Sequence, residues 1–254
     1  MKIEGRTALV TGANRGVGAA LVDELIARGA GRVYAAARNP GSLRTAQERH
    51  GDRVAPVRLD VTREEDRRAA AASCPDVDIL VSNAGLAPYG LVLDTDEAVC
   101  RETFEVNVFG PLALVREFVP ILRAHKGGLL FINSLTGLIV SRSAPVYGAS
   151  KAAMRMLALG LREQLKGGGV VVTTSHPGFI DTDMAADVPF PKATPQEVAA
   201  RSLAALQAEA TVVFPDRFAE LVEQALTTRM PLILHEPQQV MTSLVDDLQR
   251  LSSR

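Results

Sequence analysis

The sequence predicts an α/β fold, and three observations carry the prediction. Short apolar runs of strand length recur at residues 6–10, 32–36, 54–59, 77–82, 127–133 and 170–175, with helical patterns between them. A glycine-rich turn, TGANRGVG, joins the first run to a helix that keeps Leu21, Val22, Leu25 and Ile26 on one side. Small residues, Asn83-Ala84-Gly85, follow the fourth run, at the strand end where open α/β sheets bind ligands. The 254 residues accommodate one large domain of this class, or two small ones, with a sizeable core.

Composition narrows the function classes. The 47% hydrophobic and 22% charged content is that of an ordinary soluble globular chain. A net charge of −1 gives no electrostatic footprint for nucleic acid or an anionic membrane. Cys74 and Cys100 are too few and too far apart for a disulfide framework or a zinc site, and the histidines show no ligand spacing, so no metal is expected. No apolar run reaches the ~18 residues of a membrane span. The opening MKIEGRTALV enters a strand without an apolar leader, so we expect no signal peptide and a cytoplasmic location.

In chain order, the first strand and TGANRGVG supply Gly12, Gly16 and Gly18 at a helix start. Small residues there let the backbone approach a pyrophosphate, and the helix-end N–H groups and dipole hold it. The spacing is G-x-x-x-G-x-G, which differs from the common G-x-G-x-x-G dinucleotide fingerprint. The second strand ends in Ala37 and Arg38, where an NAD site carries an acid for the ribose 2′-hydroxyl. A guanidinium suits a 2′-phosphate instead, and Arg15 in the glycine loop can clamp it from the other side, so NADP(H) is expected in preference to NAD(H). Asp60 and Val61 end the third strand. Asp60 can meet an adenine amino group or cap the next helix, whose start Thr62-Arg63-Glu64-Glu65 has capping-box form.

The fifth run, GGLLFIN, ends at Ser134, and thirteen residues on stands Tyr147, with Lys151 four after it. That spacing puts phenol and ammonium on one helix face. A phenol is a poor acid at neutral pH; a cation beside it favours the phenolate and is expected to lower its pKa toward the range of a general acid or base. An ordinary helix surface pairs Tyr with Lys in the same way, so the meaning lies in the combination with Ser134, whose hydroxyl can bond the oxygen that the phenol protonates.

With TGANRGVG, NAG, Ser134 and YGASK in that order, the chain resembles the short-chain dehydrogenase/reductase family from residue 6 to about 184. The resemblance implies a single domain built on a doubly wound, Rossmann-type parallel sheet of seven strands flanked by helices. It also implies hydride exchange between a nicotinamide cofactor and a carbonyl or alcohol substrate. By the same resemblance Tyr147 is the general acid in reduction, Ser134 orients the carbonyl, and Lys151 lowers the phenol pKa and bonds the nicotinamide ribose. Asn107, in FEVNVFGPLALV, falls where the family has a structural and proton-relay asparagine; it can hold a water behind Lys151 or satisfy a backbone carbonyl. The implied cofactor set is Gly12, Asn14, Arg15, Gly16, Val17, Gly18, Arg38, Asp60, Val61, Asn83, Ala84, Gly85, Tyr147, Lys151, Pro177, Gly178, Ile180 and Thr182, the last four in a loop that holds the nicotinamide carboxamide. His176 reads as a packed strand residue.

Two departures stand out: Ser82-Asn83 replaces the family's double asparagine, and the glycine-rich tail that builds its tetramer contact is missing. Residues 183–194, rich in proline, are a candidate lid over the substrate. Thr194-Pro195-Gln196-Glu197 has capping-box form and starts a helix through Leu206. A helix from Asp216 to about Thr228 follows, then the apolar MPLIL at 230–234. A last helix from about Gln238 to Leu251 carries a stripe of Met241, Leu244, Val245 and Leu248, which either packs in the core or joins a second subunit. We expect a homo-oligomer, foremost a dimer. Leu86, Tyr89, Leu135, Leu138, Met184 and Phe190 are the expected substrate contacts, and they suit a hydrophobic ketone or aldehyde. The competing reading is a catalytically silent NADP(H)-binding regulator, but a pure binder needs no proton donor.

Overall fold

In the computed structural model, which describes residues 1–230 and 236–252, seven parallel strands form one sheet in the order β3-β2-β1-β4-β5-β6-β7. They are β1 Thr7–Thr11, β2 Arg32–Ala37, β3 Val54–Arg58, β4 Ile79–Ser82, β5 Gly128–Ile132, β6 Val171–Ser175 and β7 Val212–Val213. The helices are α1 Gly16–Ala27, α2 Arg44–His50, α3 Glu64–Ser73, α4 Glu97–Phe104, α5 Gly110–His125, α6 Pro145–Lys166, α7 Pro195–Gln207, α8 Arg217–Thr228 and α9 Pro237–Ser252. The expected single doubly wound domain is what forms.

Both sheet faces are buried, which is why the strands read as continuous apolar runs. Alternate residues go to opposite sides. Ala8 and Val10 join α1 and α7 in one core layer, with Leu21, Leu25, Leu203 and Leu206. Leu9 joins α5 and α6 in the other, with Leu114, Phe118 and Met154. Leu9 lies between Tyr34 of β2 and Leu80 of β4, which fixes the register at the centre of the sheet. Chain direction across the sheet reverses at β1 and β4, and that switch point opens the crevice at their carboxyl ends.

A third apolar cluster lies outside the sheet. Leu244, Val245 and Leu248 of α9 pack with Phe218, Val222 and Ala225 of α8 and with Leu135. The stripe on the last helix is therefore covered within the chain rather than held open for a second subunit. Residues 231–234 of the MPLIL run lie outside the described residues.

Two local expectations differ from the fold. Thr62 does not cap α3: its hydroxyl donates to Asp60 Oδ1 at 2.7 Å, Glu65 pairs with Arg63, and the helix starts from Arg63 with no side-chain cap. The carboxylate two residues back takes the Thr62 hydroxyl as a donor, and the hydroxyl oxygen accepts no helix N–H. The helix expected around Asn107 is also interrupted, since Glu105–Phe109 forms a π-helical turn between α4 and α5. By contrast, Thr194 accepts the Glu197 N–H at 3.1 Å and caps α7 as its sequence predicts.

Candidate active site

A cleft of about 2090 Å³ runs along the carboxyl ends of the strands, from Arg38 and Asp60 past the glycine loop to Ser134, Tyr147 and Lys151. Every residue expected to hold the cofactor lines it: the glycine loop, Asp60-Val61, Asn83-Ala84-Gly85, and Pro177, Gly178, Ile180 and Thr182.

The glycine loop fits a close-approaching phosphate for steric reasons. Gly12 and Gly16 have φ of 63° and 54°, a left-handed conformation that favours glycine. A Cβ on Gly18 would stand 2.0 Å from the Gly12 carbonyl oxygen. Helix α1 starts from Arg15 with no side-chain cap and no acid in its first turn, so its leading N–H groups face the cleft without a competing anion. Thr11 locks this loop to the next strand. Its hydroxyl accepts the Asn83 and Ala84 N–H groups at 2.9 and 3.0 Å, and the Asn83 amide donates back to the Thr11 carbonyl at 2.9 Å. Sequence reasoning missed Thr11, although its place at the head of the glycine motif was the signal.

At the far end, Arg38 has no carboxylate in ion-pair range among the described residues, whereas Arg15 is paired with Asp183 at 2.8 Å. The expected two-sided clamp is thus half committed: Arg15 ties the glycine loop to the segment over the cleft. Burial raises the Asp60 carboxyl, but hydrogen bonds from Thr62 and the nearby Arg38 outweigh it and hold the group below its usual range. Asp60 is an acceptor engaged with its own loop.

Around Tyr147 the geometry is built by α6 and the turn after β5. Ser134 precedes a 3-10 turn, Leu135–Gly137, which lies hard against α6: a Cβ on Gly137 would stand 2.9 Å from the Lys151 carbonyl carbon, and one on Gly148 2.9 Å from the Thr136 carbonyl oxygen. This close approach brings the Ser134 hydroxyl to the phenol. The Lys151 ammonium lies 5.6 Å from the centre of the Tyr147 ring and donates to the Ile132 carbonyl at 3.1 Å. The Asn133 amide donates to the Lys151 carbonyl at 3.1 Å, fixing the same helical turn from the strand end.

The expected direction of the phenol shift is overturned. Burial pushes Tyr147 up to about 12, and hydrogen bonding with Ser134 offsets only part of that. Burial also pushes Lys151 down to about 8. Burial is the leading cause at both groups, because a charge in a poorly solvated pocket is costly whether it is phenolate or ammonium. The phenol is therefore held as the acid form at neutral pH.

Asn107 stands behind the cleft rather than on it. Its oxygen accepts the Leu86 N–H at 2.8 Å, and its amide donates to the Leu86 carbonyl at 2.8 Å and to Ser150 Oγ at 2.9 Å. Ser150 in turn donates to the Tyr147 carbonyl at 2.7 Å. Both amide protons are spent on these bonds, so the side chain clamps the segment after Gly85 to α6 and satisfies a backbone carbonyl, one of its two expected roles. His176 is buried, contacts the Ser134 carbonyl through Nδ1 at 3.1 Å and is pushed down to about 4 by burial, consistent with a packed neutral ring. Of the expected substrate contacts, Leu86, Tyr89, Leu135, Met184 and Phe190 line the cleft. Leu138 does not; it packs against the α8–α9 cluster.

Residues 6–192 match the family described as short chain dehydrogenase. The chain belongs to the short-chain dehydrogenase/reductase family. Among solved structures, this dehydrogenase is similar to a short chain dehydrogenase from Burkholderia cenocepacia in complex with NADP. The two are 36% identical, with a TM-score of 0.86 over 96% of this chain and 99% of that one. It is 34% identical to the NADPH-dependent 1-acyldihydroxyacetone phosphate reductase of Saccharomyces cerevisiae, over 74% of this chain and 65% of that protein. An uncharacterized oxidoreductase of Myxococcus xanthus is 33% identical over 91% of this chain and 94% of its own length. The short-chain dehydrogenase fold thus carries an oxidoreductase with a nicotinamide cofactor. Among its described residues, no group of three or more His, Cys, Asp or Glu is placed to hold a metal ion.

Proposed function

We propose that the protein is an NADP(H)-dependent carbonyl reductase acting on a hydrophobic ketone or aldehyde. The observation that supports it most is the convergence of Ser134, Tyr147 and Lys151 on the cleft that begins at the glycine loop. That loop suits a dinucleotide because the left-handed Gly12 and Gly16 line the cleft without side chains, while Gly18 lets α1 pack hard against the Gly12 carbonyl. The Gly12–Gly18 loop would hold the pyrophosphate, Arg38 the 2′-phosphate, and the Pro177–Thr182 loop the nicotinamide end. When bound there, the dinucleotide supplies the hydride. NADP(H) is also favoured by the NADPH dependence of the Saccharomyces relative and the NADP complex of the Burkholderia one.

The chain's own residues supply the proton. Ser134 Oγ orients the substrate oxygen, and Tyr147 donates its hydroxyl proton to that oxygen as negative charge develops. At about 12 the phenol is protonated at neutral pH but a poor acid, so proton transfer depends on stabilising the phenolate as it forms. Lys151, with a pKa near 8, is mostly charged at pH 7, and its ammonium stabilises the phenolate left behind. Leu86, Leu135 and Phe190 give the substrate end an apolar wall, and residues 183–194 act as a lid that limits water.

The test is NADPH consumption over a panel of aldehydes, ketones and quinones. Wild type is expected to turn over at least one apolar member, and Tyr147→Phe to lose roughly 10²–10⁴-fold in kcat. Unchanged turnover in the phenylalanine variant rejects Tyr147 as the acid.

A further inference from the structure

Asp216 is a carboxylate 2% exposed at the start of α8, and neither of its bonds is to a cation. Oδ2 accepts the Gly178 N–H at 2.7 Å, and Oδ1 accepts the Ala219 N–H at 2.9 Å. The residue therefore spans two elements: it caps α8 and fastens the loop after β6. That loop is held on its other side as well, since the Pro177 carbonyl accepts the Leu135 N–H at 3.0 Å, one residue from Ser134. The packing is as close as the bonding. A Cβ on Gly178 would meet Phe218 Cδ1 at 2.9 Å and Asp216 Oδ1 at 3.0 Å, and Phe218 stacks on Phe179 with ring centres 5.1 Å apart.

A buried carboxylate is costly unless its lone pairs are bonded, and a neutral cap such as Ser or Thr would serve the helix alone. The second oxygen is what reaches the loop. Resting on the cofactor reading above, we infer that Asp216 is a positioning residue for the nicotinamide half of the cofactor, fastening the Pro177-Gly178 turn to the C-terminal helical pair. The α8–α9 unit then belongs to the cofactor seat as well as to the substrate side. The adenosine end, more than half the sheet away at β2 and β3, owes nothing to this contact.

Calorimetric titration with NADP⁺ and with 2′,5′-ADP, which lacks the nicotinamide half, separates these ends. Asp216→Asn keeps a cap acceptor but loses one anionic oxygen. It is expected to weaken NADP⁺ about 10-fold while 2′,5′-ADP stays within about twofold, the size of a lost charge-assisted hydrogen bond at one end only. Gly178→Ala, whose Cβ would press on both Phe218 and the Asp216 carboxylate and so push the turn off its fastening, is expected to show the same selective loss and serves if the asparagine variant does not fold. Unchanged NADP⁺ affinity in either soluble variant, or parallel losses for both ligands, overturns the inference while leaving the NADP(H) reading in place. A wild-type chain that binds neither ligand overturns both.

Discussion

At Tyr147 and Lys151, a spacing of four residues was enough to place phenol and ammonium together, because one helical turn fixes that relation whatever else the chain does. The direction of the phenol's shift was not legible, since it depends on how much of the fold closes over both groups. Lys151 carries a consequence with a definite sign. Its folded pKa, near 8, lies below the ordinary 10.5, so between about pH 8 and 10 the unfolded chain binds more protons there and stability rises with pH. Relative to Lys151→Met, wild type is expected to gain about 2–3 kcal/mol between pH 7 and 10 in paired urea titrations. Tyr147 acts with the opposite sign, but only from about pH 10 to 12. A stability difference that stays flat from pH 7 to 10 contradicts the burial account of Lys151. At the other end of the cleft, Arg38→Asp is expected to weaken NADPH at least about 10-fold and NADH far less, as loss of a phosphate-bonding guanidinium requires. Equal losses remove Arg38 from that role.

Elements were legible where their signals are local. The strands announced themselves as apolar runs because both faces of a parallel sheet are covered, and Thr194 announced α7 because its cap is made three residues away. Thr62 misled for an equally local reason, a carboxylate at Asp60 that takes its hydroxyl as a donor. The π-helical turn at Glu105–Phe109 had no local signal, and it is where Asn107 finds Leu86 and Ser150. The α9 stripe was visible, but its partner was not. With Leu244 buried among the side chains of α8 and α9, Leu244→Ala is expected to cost about 2–4 kcal/mol in a urea titration. A cost within about 0.5 kcal/mol, the size usual for a surface position, contradicts the packing of α9 on the body of the protein.

Over the whole molecule, strand order sets the site. Reversal at β1 and β4 collects the ends of several strands into one crevice, so residues far apart in sequence, from Gly12 to Thr182, face a common space. The motif residues in that crevice were readable because each sits at a strand end and has few chemical alternatives. The groups that hold them were readable only in part: Asn107 was, though not its partner Ser150, whereas Thr11 works through Asn83 and Asp216 through Gly178, contacts that only the assembled sheet creates. Arg15 is similar, since its partner Asp183 lies on the segment over the cleft. The central claim is that this assembly moves a hydride to a carbonyl carbon while Tyr147 supplies the proton. The most direct measurement is mass spectrometry of the product formed from NADPH deuterated at the transferring position of C4, using a substrate found in the panel. One deuterium on the carbinol carbon, formed by wild type and lost with Tyr147→Phe, is the predicted result; product that carries no deuterium contradicts the claim.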